Sequence, residues 1–239
     1  MNIFKFLLVP VAAFTLNSSV AQKTVYDANA EVRTVGSFTG VSVSSAIDLY
    51  ISMGAENAVA VSAKDNALTA NITTEVKNGV LYIGLKKGMN SWGPKSIKAY
   101  VSIKAINKLE ATGACDVLVD GSLNAPDLEI EISGASDFKG EVNAQNLHLL
   151  ARGSSDFSIS GKTTNLRIDV SGSSDVKGYG LVSDNCDIDA SGSSDVDITV
   201  NKALHAKSSG SSDIRYKGEP SVKDVSSSGS SDIRKVGGQ

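Results

Sequence analysis

Residues 147–176 read LHLLARGSSDFSISGKTTNLRIDVSGSSDV and contain the same pattern twice. Alternating apolar residues lead into a tetrad, Gly-Ser-Ser-Asp, and one apolar residue follows it. In the general form Gly-Ala/Ser-Ser/Cys-Asp, the tetrad occurs seven times, at intervals of 21, 19, 19, 20, 18 and 19 residues. Its glycines are Gly113, Gly134, Gly153, Gly172, Gly192, Gly210 and Gly229. Repetition at this period is typical of a solenoid.

The residues around each tetrad indicate the kind of solenoid. Apolar residues alternate with polar ones before the tetrad, which is the pattern of a half-buried strand. Glycine allows a sharp corner, and about 19 residues is too short for a strand plus a helix. We therefore predict an all-β fold, a right-handed parallel β-helix, with Phe138, Phe157, Ile168 and Ile198 in one core. Cys115 and Cys186 lie four coils apart, too far for a disulfide bond.

The chain divides into four predicted segments. Residues 1–21 resemble a signal peptide, because Lys5 precedes a short apolar run and Ser19-Val20-Ala21 fits a cleavage site. Residues 22–36 form a linker, 37–112 a β-rich cap or first coils, and 113–239 the repetitive β-helix. No segment is apolar enough to span a membrane. We therefore expect an exported protein that is periplasmic, outer-membrane-associated or secreted.

The segment before the repeats is predicted to be mostly strands. The predicted strands are Val41 to Ile51, Ala58 to Ser62, Val80 to Leu85 and Ile97 to Ile103. A helix is expected from Asn66 to Val76, and Asn78-Gly79 favours a hairpin turn into the following strand.

The last residue of each tetrad is the most distinctive chemical feature. These residues are Asp116, Asp137, Asp156, Asp175, Asp195, Asp213 and Asp232. Stacked about 4.8 Å apart, their carboxylates would repel one another. Either each carboxylate accepts corner N–H groups and serine hydroxyls, or calcium binds between coils. We favour hydrogen bonds and expect no metal or other cofactor. A third interpretation is a serine array that faces ordered water. Such an array would need a flat face, whereas these serines lie at a corner.

Outward side chains of neighbouring coils should form a second column. Its predicted members are Glu129, His148, Arg167, Asp187, His205 and Lys223. Acids and bases mix, as expected of a solvated, salt-bridged surface, and the alternative is a weak ligand groove. The two histidines lie three coils apart, about 14 Å, too far to share a metal ion.

The segment before the repeats carries a family resemblance. Phe38-Thr39-Gly40-Val41, then Ala46-Ile47-Asp48-Leu49-Tyr50-Ile51 and Gly54, followed by Gly-Ser-Ser-Asp corners, resembles the family of putative auto-transporter adhesins known as the head GIN domain. The resemblance covers roughly residues 37–235. It implies an exported β-helical protein with an adhesive role and no established catalytic residues. Ala46 departs from the family, which usually has Gly-Ile-Asp there.

Two classes of function remain open. We favour a non-enzymatic envelope or surface protein that binds a glycan or protein through its β-helical faces. Association of copies through an edge of the solenoid is a further expectation. The alternative is a polysaccharide-active lyase or hydrolase, but aromatic residues are only 5% of the chain. Trp92, Tyr82 and Tyr100 are its candidate sugar platform. A net charge of −3 argues against a nucleic-acid partner.

Overall fold

The computed structural model describes residues 27–64, 66–88 and 96–237. The predicted signal peptide, residues 1–21, and Trp92 lie outside these ranges. The elements of the described residues are β1 (Glu31–Arg33), β2 (Gly40–Ser44), β3 (Asp48–Met53), β4 (Ala58–Ser62), α1 (Asn66–Thr69), β5 (Ile72–Lys77), β6 (Val80–Leu85), β7 (Lys98–Ile103), β8 (Lys108–Gly113), β9 (Asp116–Gly134), β10 (Asp137–Gly153), β11 (Asp156–Gly172), β12 (Val176–Ala190), β13 (Asp195–Gly210), β14 (Asp213–Lys217), β15 (Val222–Gly229) and β16 (Asp232–Lys235).

The repeats form a parallel β-solenoid, as the sequence predicts. Each tetrad is a corner, and every strand from β9 to β13 begins beside one corner and ends at the next. Strands pair in parallel with their equivalents in neighbouring coils, so Asp137 lies beside Asp156 and Gly153 beside Gly172. Pairing also continues through residues 141–146, between the corner and the alternating run that follows. The ladder therefore follows nearly the whole circumference of a coil.

The core runs along the axis of the solenoid. Phe138, Phe157, Ile168 and Ile198 are all buried within one hydrophobic cluster, which confirms their predicted position. The rings of Phe138 and Phe157 pack against each other, with their centroids 5.5 Å apart. Cys186 is buried, and neither it nor Cys115 forms a disulfide bond. That prediction is also confirmed.

The glycine of each tetrad meets the corner of the preceding coil at close range. Gly153 has a φ of 87°, a backbone conformation that residues with a side chain rarely adopt. A β-carbon on Gly153 would lie only 2.6 Å from the carbonyl oxygen of Gly134. Both the conformation and the close contact therefore require glycine.

The predicted strand from Val41 to Ile51 is interrupted by a corner. Strands β2 and β3 flank Ser45 and Ala46, whose φ angles are 70° and 55°. Because Ser44 pairs with Thr112, Ser45-Ala46-Ile47-Asp48 lies beside the first tetrad as an additional corner. The prediction of one continuous strand was wrong because alternation of apolar residues persists through the corner.

The coils before the first tetrad do not stack in chain order. The coil made by β2 and β3 lies between two later ones, because β2 pairs with both β6 and β8 and β3 pairs with both β7 and β9. Antiparallel strands complete this end. β5 lies along β6, β4 along β7, and β1 along β4.

The predicted helix from Asn66 to Val76 ends early. Residues 66–69 are helical, and β5 begins at Ile72. The β-branched residues Ile72, Thr73 and Thr74 favour a strand, and an antiparallel partner is available across the hairpin. The predicted turn is confirmed, with positive φ angles at Asn78 and Gly79.

We predict that Ala46→Gly stabilises the protein. A left-handed conformation costs an alanine roughly 1–2 kcal/mol, part of which is offset by the greater entropy of glycine in the unfolded chain. The free energy of unfolding in urea should rise by about 0.5–1 kcal/mol.

The matched control for this substitution is Ala114→Gly, at the same position of the next corner. Ala114 is not among the residues with a positive φ. Glycine should therefore destabilise the protein there, by about 0.5–1 kcal/mol. Equal effects of the two substitutions would contradict the strain that we assign to Ala46.

Candidate functional site

The aspartates of the tetrads form a carboxylate ladder along the corner. Asp156 Oδ1 accepts the backbone N–H of Asp175 at 3.1 Å, and Asp175 Oδ1 accepts that of Asp195 at 3.2 Å. The same bond links Asp213 to Asp232. These carboxylates therefore accept corner N–H groups, and the N–H groups belong to the next coil.

The ladder begins one coil earlier than the tetrads suggest. Asp48 lies beside Asp116 and accepts its backbone N–H. Burial raises the pKa of Asp48, and the nearby carboxylate of Asp116 raises it further. Lys98 occupies the same position on β7, where its charge partly opposes this shift. Sequence analysis did not identify Asp48 as part of the ladder. The available signal was three small or apolar residues before the aspartate and one apolar residue after it, as around a tetrad.

The third residue of each tetrad points inward and forms a second ladder. The fully buried serines at this position of the tetrad are Ser136, Ser155, Ser174, Ser194 and Ser212. Ser174 Oγ accepts the N–H of Ser155 at 3.2 Å, and Ser136 Oγ donates to the carbonyl of Ser133 at 3.0 Å. The serine hydroxyls thus satisfy buried backbone groups and are not partners of the aspartates.

Basic side chains two residues beyond the ladder offset part of its charge. Lys177 Nζ lies 3.1 Å from Asp156 Oδ2, and Arg215 Nη2 lies 2.9 Å from Asp195 Oδ2. Arg234 pairs with Asp232. Each base lies two residues after an aspartate, on the strand that follows the corner. Side chains two residues apart point to the same face of a strand, here the face toward solvent.

The ladder lines a shallow groove of about 280 Å³. We define this corner groove by Asp116, Leu118, Asp137, Lys139, Asp156, Ser158 and Lys177. Asp156 and Lys177 are paired, but the side chains of Asp137 and Lys139 form no hydrogen bond or ion pair with another described residue. The groove therefore presents an acceptor and a donor beside a hydroxyl and an apolar surface.

A second outward column, the charged face, lies on the strands before the corners. The pairing confirms its members from Glu129 to His205 and adds Lys108 at one end. At the other end, the predicted Lys223 is wrong, because Asp224 lies beside His205. The corner sets this register by aligning Gly210 with Gly229, and Lys223 consequently follows the inward position of Leu204.

The charged face is held by contacts both between coils and within one strand. His148 Nε2 lies 2.6 Å from Asp169 Oδ2, and Arg167 Nε lies 2.8 Å from the same oxygen. Burial raises the pKa of Asp169, but hydrogen bonds from Arg167 and His148 outweigh burial and leave that pKa below its usual value. These pairs match the predicted salt-bridged surface.

Asparagine side chains form a ladder that sequence reasoning missed. Asn165 Nδ2 donates to Asn146 Oδ1 at 2.8 Å, and Asn185 Nδ2 donates to Asn165 Oδ1 at 2.9 Å. The signal was available, because each asparagine directly precedes the residue that opens the alternating run. This ladder uses side-chain amides to join successive coils.

The proposed aromatic platform is not assembled in the described residues. Tyr82 lies on β6, which pairs with β2, whereas Tyr100 lies on β7, which pairs with β3. Tyr100 instead stacks on Tyr50, with ring centroids 5.2 Å apart, and its hydroxyl donates to Asp27. Trp92 lies outside the described ranges.

The described residues contain neither a cluster of metal ligands nor a membrane-spanning helix. No group of three or more His, Cys, Asp or Glu side chains is placed to hold a metal ion. Within the same ranges, none of the helices has the length and apolar character needed to cross a bilayer. The calcium alternative for the carboxylate ladder stays open to experiment.

Comparison with known proteins identifies relatives in fold and sequence. The family model for the putative auto-transporter adhesin, head GIN domain, matches residues 37–220. A putative adhesin from Bacteroides fragilis NCTC 9343 is 18% identical, with a TM-score of 0.81 over 87% of this chain and 96% of that one. A putative adhesin from Parabacteroides distasonis ATCC 8503 is 19% identical, with a TM-score of 0.68 over 87% and 96%.

A third solved structure carries a different description. It is a putative lipid binding protein from Parabacteroides distasonis ATCC 8503, 20% identical, with a TM-score of 0.62 over 86% of this chain and 97% of that one. No curated protein matches this sequence. At these identities the solved structures establish a shared fold.

We predict that Asp175 tolerates asparagine better than alanine. Asparagine keeps an acceptor oxygen for the N–H of Asp195, whereas alanine leaves that group without its partner. In urea unfolding, Asp175→Ala should cost about 1–2 kcal/mol more than Asp175→Asn.

A chelator should leave the melting temperature of the unmodified protein unchanged. A fall of several degrees would instead favour calcium in the ladder.

We also predict opposite pH dependence for two substitutions. Because the folded pKa of Asp48 is raised above 3.8, its stabilising contribution is present at low pH and is lost as the pH rises through that folded pKa. The folded pKa of Asp169 is lowered, so its contribution is present above about 3.8 and is lost as the pH falls.

Urea unfolding of both variants at pH 7 and pH 3 measures this contrast. At pH 7, Asp48→Asn should raise the free energy of unfolding and Asp169→Asn should lower it. Both differences should shrink toward zero at pH 3. The same sign for both variants at pH 7 would contradict the assigned pKa shifts.

Proposed function

Because this chain belongs to the family of putative auto-transporter adhesins with the head GIN domain, we propose that it is an exported, non-enzymatic binding protein of the cell envelope or surface. The signal-peptide features of residues 1–21 support export. Binding would occur through outward faces of the solenoid. Their side chains are held in place by the hydrogen-bonded coils beneath them.

The corner groove carries this proposal. Three carboxylates of the ladder, those of Asp156, Asp195 and Asp232, are each paired with a basic residue. In the groove, Asp137 and Lys139 lack such partners among the described residues. Groups of opposite charge on one rigid strand can bind a ligand without first breaking an ion pair.

The chemistry of the groove suits a glycan. Carboxylate and hydroxyl oxygens of Asp137 and Ser158 can accept hydrogen bonds from sugar hydroxyls, and Lys139 can donate to them. Leu118 supplies a small apolar surface for the C–H face of a sugar ring. Coils spaced about 4.8 Å apart would let an extended chain contact several of them in succession.

The repetition of the ladder supports binding over catalysis. Glycoside hydrolysis uses two carboxyl groups whose environments give them different roles, one protonated and one ionised. Within the corner groove, the aspartates occupy equivalent positions of successive coils on one outward face. A polysaccharide-active site remains the alternative that the binding experiment also tests.

A glycan array probed with the purified protein tests the proposal. We expect binding to a subset of glycans and at least tenfold weaker binding after the double substitution Asp137→Asn with Lys139→Gln. The control is Asp184→Asn with Lys202→Gln, which likewise removes one acidic and one basic charge, at an ion pair outside the corner groove. The control variant should bind like the unmodified protein.

Three outcomes would count against the proposal. Breakdown of a glycan in the same samples would show an enzyme. Equal losses in both double variants would remove the corner groove from the binding surface. Binding to lipid vesicles, with none to glycans, would favour the description of the third structural relative.

A further inference from the structure

The two ends of the solenoid are finished differently. At the N-terminal end, antiparallel strands β4 and β5 cover the coil formed by β6 and β7. At the C-terminal end, β15 pairs with β13 and β16 pairs with β14. Neither has a second partner strand in the described residues, so both present open backbone edges. At the N-terminal end the open edges belong to the antiparallel strands β1 and β5.

The open edge is also apolar at its centre. All eight residues of β15 are exposed, and the exposed fractions of Val222 and Val225 are 52% and 47%. Val225 lies beside Ala206, which is buried in the core. Val225 therefore occupies an inward position of its coil, yet its side chain is exposed. An unpaired strand edge next to exposed apolar side chains is a template for another strand.

Charge and register favour a second copy of this chain as that partner. Residues 218–237 contain three basic side chains and three acidic ones, so two such ends have no net repulsion. These are Lys223, Arg234 and Lys235, with Glu219, Asp224 and Asp232. Direct continuation onto the N-terminal end of another copy is hindered, because antiparallel strands cover that end.

We propose that two copies pair through antiparallel β15 strands, with a twofold axis at Val225. This register places Val225 opposite its counterpart, Lys223 opposite Ser227, and Asp224 opposite Ser226. Inward residues stay on one side of the shared sheet, as antiparallel pairing requires. No like charges lie directly opposite each other. The interface joins backbone hydrogen bonds to burial of both Val225 side chains.

Analytical ultracentrifugation of the purified chain over a wide concentration range tests this proposal. We expect a monomer–dimer equilibrium whose dissociation constant rises at least tenfold in Val225→Lys. The matched control is Val32→Lys, since Val32 has an exposed fraction of 51% on β1 at the opposite end. That variant should dimerise like the unmodified chain. Circular dichroism and urea unfolding should show both variants folded.

Hydrogen exchange adds a measurement that needs no substitution. Amides of β15 should exchange more slowly at high protein concentration, while those of β1 should not change. A monomer at every concentration would overturn the proposal. So would equal loss of dimer in both variants, or concentration-dependent protection that is confined to β1.

Discussion

Backbone stacks directly on backbone at each corner of this solenoid, and the rest of the structure depends on that contact. Ser154 donates its N–H to the carbonyl of Gly134, and Ser173 donates to that of Gly153, both at 2.8 Å. A side chain at the glycine would separate the coils. Because the corners align, each strand before and after them has a fixed register. The inward columns of apolar residues then follow from the alternation of the strand.

The same alignment turns three polar positions into ladders with different roles. The inward serines satisfy buried backbone groups, which would otherwise be costly. Some of the aspartates, among them Asp156 and Asp175, accept the N–H of the next coil, and the carboxylates line an outward groove. The asparagines join coils through their own amides. Only the aspartate ladder combines structural bonds with free oxygens and neighbouring bases, which explains why the corner groove is the strongest candidate for ligand binding.

The ends of the solenoid follow a separate logic. A stack of parallel strands always has two edges, and each must be covered, paired or tolerated. At one end, antiparallel strands from the N-terminal segment cover the last parallel coil. At the other end, the edges of β15 and β16 are open. Equal numbers of acidic and basic side chains lie there beside exposed apolar ones. A binding face along the coils and a pairing edge at one end can operate independently, because they use different surfaces.

The sequence alone determined the solenoid from Gly113 onward, the inward core and the carboxylate ladder. Each of these features depends on the spacing of residues along the chain. Glycine and aspartate recur at regular intervals because every repeat forms its corner with them. The tertiary structure decided what local spacing does not encode. Ser45 and Ala46 form a corner without glycine because a neighbouring corner stacks on them, and Asp224 displaces Lys223 because Gly229 aligns with Gly210. The interleaved position of β2 and β3 likewise depends on strands distant in the chain, whose pairing leaves no periodic mark in the sequence.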